Sequence, residues 1–338
     1  MNTSHSSRRL AIHAVLLLSL LGASCSGSAG SDPVRITIPA GSGFGAVTDT
    51  LAAHGLVEWT PLFRIYARMQ GAERQVKPGV YEVPGDIAWT DLLDTLVSGD
   101  VVQMTIAVPE GWMLEQIAPR IAGATEADPD SLTTALLEED SAKRYGVPGP
   151  SLEGYLYPAT YTFPVGASAD QVVRTMVARH QQVWTDGRLA RADSIQMDQR
   201  EVVTLASIVE KEARSWGERD TIAAVYQNRL RIGMPLQADP TVQYALGTHQ
   251  TRLLYAHIDS VADHPYNTYR RRGLPPGPIA SPSTGAIDAT LNPARVDFLY
   301  FVARPNGTHV FTRSLAEHNA ARQLVARMRA EAQQPAGR

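Results

Sequence analysis

From Val34 onward the apolar residues keep changing period, and this limits the fold more than any other feature of the chain. "VRITI" (34–38) alternates at two, whereas "TPLFRIYARMQ" (60–70) sets Leu62, Phe63, Tyr66 and Met69 at helical spacing. "KPGVYEVPGD" (77–86) returns to a strand closed by Pro-Gly, and "WTDLLDTLVSG" (89–99) is helical again, with Thr90 or Asp91 as its cap. Short strands that each lead through a turn into a helix specify an α+β fold. "IPAG" (38–41) is echoed by "VPEG" (108–111) ahead of "WMLEQIAPRIAG", and "YEVPGD…LLDTLV" by "YTFPVGASADQVVRTMV" (161–177). An offset of about 70–80 residues fits two versions of one strand–helix unit, although such punctuation also recurs by chance.

Residues 1–33 read as a targeting segment. Arg8 and Arg9 precede an apolar run from Leu10 to about Ala23, short of the ~20 residues that span a bilayer. Cys25, the only cysteine, sits where this run ends, which suggests a diacylated lipoprotein; a cleaved signal or an uncleaved anchor also fits, since Gly22 suits lipoprotein processing poorly. All three export the body of the protein, which must fold without an internal disulfide. The 338 residues are enough for two domains. A net charge of −3 gives no basic face for nucleic acid, and no phosphate-binding glycine loop occurs.

After a polar connector, "DGRLARADSIQMDQR" (186–200), a last domain opens with "EVVTLASIVEKEA" (201–213). At roughly 100° per residue, Thr204, Ser207 and Lys211 form its wet face. Glu210 and Glu212 fall on opposite flanks of the apolar arc, and a carboxylate withdrawn from water needs a partner or a proton. The wheel does not choose between them. A second helix (219–233), a hairpin turning at Pro-Asn-Gly (297–314) and a charged helix (315–332) follow, with a disordered tail from 331 to 338. Segments 234–247 and 264–286 are long and irregular, and such loops are often functional. They carry Gln237, Asp239, Thr241, Gln243, Tyr244, Asn267, Thr268 and Tyr269, groups suited to sugar hydroxyls and N-acetyl groups, or else to capping one another.

Other chemistries lack their residues. There is no HExxH, no GxSxG elbow and no cysteine free for catalysis, so zinc, serine and thiol mechanisms fall away and no cofactor is expected. Carboxylate acid–base chemistry is left. Glycoside cleavage normally takes two carboxylates, and positions i and i+2 of one helix cannot form that pair. One acid works alone, or Asp239 or Glu153 joins it.

Five blocks now carry a resemblance: "LEGYLYPATYTF" (152–163), "LASIVEKEA" (205–213), "VYQNRLRIGMPLQADPTVQYALG" (225–247), "YNTYRRRGLPPGPI" (266–279) and "FLYFVARPNGTHVFTRSLAEHN" (298–319). In content and order they resemble the YceG-like family of endolytic murein transglycosylases. "ASPSTGA" (280–286) departs from the family's usual Asn-Pro-Gly without touching the catalytic block, and the N-terminus resembles a lipoprotein signal rather than a full transmembrane helix. The resemblance implies a LysM-like β/α module over 34–103 and a mixed α+β catalytic domain over 104–330. It maps the catalytic glutamate onto Glu210 and makes Glu212 structural, paired with an Arg or Lys. Glu153 and Tyr155 of the first block join the groove residues as substrate-binding candidates. It further implies glycan strands as substrate, work beside peptidoglycan synthases, and a site on the outer face of the cell membrane. A lone acid suffices because the substrate's own C6 hydroxyl is the nucleophile, held at high effective concentration. Val203, Ala206 and Val209 would give Glu210 an apolar setting that keeps it protonated.

Overall fold

The computed structural model describes residues 32–213 and 215–333. The apolar run 10–23, Cys25 and the chain after Gln333 lie outside them, and with them the expectations of a signal, a lipid anchor and a disordered tail. The last helix does reach Gln333, past the boundary expected at 330. Among the described residues no helix is long and apolar enough to cross a membrane. The chain divides into two compact units, the first ending at Val102 and the second beginning at Gln103.

The first unit runs β1 (Pro33–Ile38), α1 (Phe44–Ala53), α2 (Thr60–Met69), β2 (Gly79–Pro84) and α3 (Trp89–Ser98). β1 and β2 pair antiparallel with Ile36 opposite Tyr81. The alternation read from the sequence puts Ile36, Ile38, Tyr81 and Val83 on one face, buried against Leu51, Phe63, Leu92 and Leu96. Each such fully buried side chain contributes roughly 1.5–3 kcal/mol to stability.

The second unit opens on the same plan: β3 (Gln103–Ala107), α4 (Leu114–Thr125), α5 (Pro129–Leu137), α6 (Ser141–Arg144), β4 (Thr160–Pro164) and α7 (Ala169–Val183). β3 and β4 are antiparallel, and Ile106 faces Tyr161 as Ile36 faces Tyr81. Both tyrosines donate their hydroxyl to the carbonyl four residues earlier, Tyr81 to Lys77 and Tyr161 to Tyr157, each at 2.6 Å. Both first strands also end in a Pro-x-Gly turn whose glycine has positive φ, +79° at Gly41 and +72° at Gly111. The echo in the sequence is therefore an echo in structure.

The supposed connector is helix α8 (Asp186–Ser194). It lacks an apolar stripe, which hid it from periodicity. Polar bonds to a later helix hold it instead: Arg188 pairs with Asp288 at 2.7 Å, and Arg191 donates to the Leu291 carbonyl at 2.8 Å. There follow α9 (Gln199–Glu212), α10 (Arg219–Arg231), α11 (Asp239–Leu246), α12 (Tyr255–Ser260), α13 (Thr284–Leu291), β5 (Tyr300–Ala303), β6 (His309–Thr312) and α14 (Leu315–Gln333). Segment 234–247, expected to be irregular, thus contains α11. β5 and β6 form the expected hairpin.

α9 starts at a reciprocal cap: Asp198 accepts from the Glu201 amide at 2.8 Å, and Glu201 accepts from the Asp198 amide at 2.9 Å. Of the expected wet face, Lys211 is exposed but Thr204 and Ser207 are not. Every residue from Val202 to Val209 is buried, Thr204 and Ser207 included, because α10, α11 and α13 pack around the helix. Ser207 satisfies itself by donating to the Thr204 carbonyl and accepting from the Ile279 amide. α9 is the hub of the second unit.

Candidate active site

Glu210 lies in the last turn of α9, where exposed carbonyl dipoles disfavour a negative charge. Its carboxylate is only 6% exposed, and three donors compensate it. Arg219, the first residue of α10, donates to Oε1 at 2.6 Å. Ser283, the N-cap of α13, donates its amide to Oε2 at 3.0 Å and its hydroxyl to the same oxygen at 2.5 Å. This corrects two expectations. The setting is polar rather than apolar, since flanking valines on the wheel say nothing of what arrives from other elements. The segment 280–286 does touch the catalytic block, through Ser283.

Further groups complete the surroundings. The turn after β3 brings Gly111 against the Glu210 side chain: a Cβ on Gly111 would lie 3.6 Å from Cγ of Glu210. Glu110, in the same turn, is 40% exposed, and its Oε2 stands 3.7 Å from the Arg219 nitrogen that holds Glu210. Burial and the nearby Glu210 push its carboxyl above the ordinary range, against a downward pull from Arg219. Lys211 donates to the Gly111 carbonyl at 3.2 Å. Gly285 gives Arg219 its room, since a Cβ there would fall 2.8 Å from Nη1.

Beside this cluster lies a cavity of about 820 Å³, bounded by Met113, Glu115, Glu153, Lys211, Glu212, Asp239 and Tyr244 among others. Another of about 700 Å³, reaching Gln237, Tyr255 and Tyr269, shares Glu212, Asp239 and His309 with it, so the two adjoin. Glu212, expected to be structural, borders both cavities and accepts from Tyr226 Oη at 2.9 Å. His309 sits at the junction, its ring nitrogen Nδ1 2.8 Å from Glu218. A cavity of about 1040 Å³ lined by Met197, Arg200, Leu230 and Arg271 contains none of the candidate residues.

The other sequence candidates separate into two groups. Gln237, Asp239, Tyr244 and Tyr269 line the adjoining cavities, with Tyr269 donating to Asp239 at 2.5 Å. Burial raises both tyrosine hydroxyls above their usual range, and for Tyr269 Asp239 adds to this. Three candidates are corrected to internal positions. Tyr155 is fully buried in the core around α4 and α7, edge-on to His180. Thr241 is closed into bonds with the Ala238 carbonyl and Thr268. Asn267 spends its amide on the carbonyls of Ile258 and Val261. Polar type alone could not separate residues that face a groove from residues that staple its wall.

Glu153 does both. It is 1% exposed, borders the cavity of about 820 Å³, and accepts from the amides of Leu114, at the start of α4, and of Gly154 next to it in the chain. Burial raises its carboxyl to about 8, against the downward pull of those amides. Gly154 has φ +81°, and a Cβ there would meet Cβ of Pro278 at 2.4 Å and the Ala280 carbonyl at 3.1 Å. Gly154→Ala is therefore expected to cost about 2–4 kcal/mol, seen as a fall in Tm with the same folded CD spectrum. An unchanged Tm would mean that the wall formed by Pro278 yields freely.

Sequence reading missed Glu110, Arg219 and Ser283. The signal for the first was present, since "VPEG" carries a glutamate where the earlier turn has Ala40. Nothing in a single sequence marks Arg219 or Ser283, whose roles come from helix packing. Among the described residues no cluster of His, Cys, Asp and Glu suited to a metal ion occurs.

A helical hub ending in a caged glutamate, beside a groove of acids, amides and tyrosines, defines a class that comparison with known proteins identifies. Residues 36–324 match the YceG-like family, and the chain belongs to it. It is 33% identical over 306 residues to the endolytic murein transglycosylase of Bacillus subtilis (strain 168), covering 86% of this chain and 84% of that one. It is 32% identical to the endolytic murein transglycosylase of Streptococcus pneumoniae serotype 2, spanning 58% of that longer chain. A crystal structure of a yceG-like protein from Listeria monocytogenes matches with a TM-score of 0.59 and 32% identity, over 86% of this chain and 98% of the other.

Proposed function

We propose that the protein is an endolytic murein transglycosylase. It would cut the β-1,4 bond between N-acetylmuramic acid and N-acetylglucosamine within nascent glycan strands and leave 1,6-anhydro ends. The observation that carries this reading is the position of Glu210. Block 205–213, Arg219 at the start of the next helix and the departing segment 280–286 meet at that one carboxylate, in a family whose named relatives are murein transglycosylases.

In this reading Glu210 protonates the leaving O4 as the C1–O4 bond breaks. As a carboxylate it then takes the proton of the C6 hydroxyl, whose oxygen closes on C1. Proton donor and acceptor are one group, and the nucleophile belongs to the substrate. Gln237, Asp239, Tyr244 and Tyr269 would hold the sugars along the adjoining cavities. The first unit would act as a LysM-like module that holds peptidoglycan. The N-terminal segment would keep the enzyme at the membrane, beside the synthases that make its substrate.

Mass spectrometry of muropeptides released from sacculi by the purified protein tests the reaction type. Anhydro-ended products, lighter by one water than their hydrolysed counterparts, are the expected result. Hydrated products would make the enzyme a muramidase, and no release at all would leave a glycan-binding scaffold.

A further inference from the structure

The single-glutamate cycle begins with a proton on Glu210, yet both its oxygens already accept hydrogen bonds, one of them from a guanidinium. Some feature of the site must weaken that hold. Glu110 is placed to do so. The same Arg219 nitrogen that donates to Glu210 at 2.6 Å has Glu110 at 3.7 Å, so two carboxylates compete for one positive charge. One carboxylate beside another favours the protonated form of its neighbour.

We propose that Glu110 is a positioning residue for the catalytic acid: by drawing on Arg219, it lets Glu210 carry the proton with which cleavage begins. This deepens the reading of Glu210 as the acid and rests on it. The turn itself does not ask for a glutamate. Its counterpart in the first unit has the same proline and the same left-handed glycine around Ala40, so the turn forms without a charge between them. The charged groups facing Glu210 are Arg219 from α10 and Glu110 from the turn after β3. Lys211 of α9 itself leans instead on the Gly111 carbonyl, and Ser283 from α13 is neutral. Removing the Glu110 charge takes away one of the carboxylates that draw on Arg219 and so strengthens its hold on Glu210.

The test is the pH–rate profile of the full-length protein on purified glycan strands. Glu110→Gln and Glu110→Ala should keep the wild-type KM and Tm but move the alkaline limb of kcat to lower pH. At a pH on that limb they should lose about tenfold or more, and at acid pH they should recover. Arg219→Gln should move the same limb to higher pH, with Tm recorded to monitor loss of the buried guanidinium. Glu110 variants whose profile coincides with wild type, or falls by one factor at every pH, overturn the proposal and leave Glu110 a structural residue. The reading of Glu210 fails separately, if Glu210→Gln itself stays active.

Discussion

Glu210→Gln is expected to lower kcat on purified glycan strands by at least about 10³-fold with the fold preserved. Glutamine keeps the shape of the side chain and an oxygen to accept from Ser283. It has no proton to give to the leaving oxygen and no negative charge to take one back. The variant does leave Arg219, 7% exposed, with less compensation; Glu110 is close enough to take up part of that charge. Removing one partner of a buried pair usually costs more than the pair contributed, so a Tm lower by a few degrees is expected, with an unchanged CD spectrum. Glu212→Gln is the control. Glu212 borders the groove and receives the Tyr226 hydroxyl, but it is not the proton donor in this reading, so its loss should cost far less than 10³-fold. Wild-type turnover by Glu210→Gln, or a dead Glu212→Gln beside a live Glu210→Gln, would move the chemistry to the other acid of α9.

Those two acids also show what the sequence could and could not reveal. Alternation in 34–38 and 79–84, the Pro-Gly turns and the Pro-Asn-Gly hairpin were legible because each is a local rule. The α+β class followed from them. The resemblance, carried by five quoted blocks, chose Glu210. What could not be read was everything that depends on a second element. Val203 and Val209 suggested a dry acid, but Arg219 and Ser283 arrive from α10 and α13 to make it a polar one. Thr204 and Ser207 look solvated because the wheel sees one helix, whereas α8, α10, α11 and α13 all pack on α9. Helix α8 reads as a connector because one ion pair and a bond to the Leu291 carbonyl, rather than a wide apolar stripe, tie it down. In the groove, Thr241 and Asn267 have the chemistry of ligand contacts and the geometry of staples.

Glu153 should make the stability of the second unit depend on pH in a direction opposite to that of an ordinary salt-bridged acid. Its carboxyl is raised from 4.5 to about 8, chiefly by burial. Below pH 4.5 folded and unfolded chains both hold the proton. Between 4.5 and 8 the unfolded chain releases it while the folded chain keeps it, so stability falls steadily as pH rises, and above 8 the loss is complete. The full range corresponds to roughly 5 kcal/mol, a large fraction of what holds a domain together. Glu153→Gln removes the titration while keeping a carbonyl oxygen for the amides of Leu114 and Gly154. The variant is therefore expected to lose less stability than wild type as pH rises from 5 to 8. At pH 8 it should melt higher than wild type, by about 5 °C or more. Chemical denaturation at a series of pH values measures this directly. Parallel stability curves for the two proteins would mean that the amides of Leu114 and Gly154 hold Glu153 as a carboxylate and that burial is not the dominant force on it.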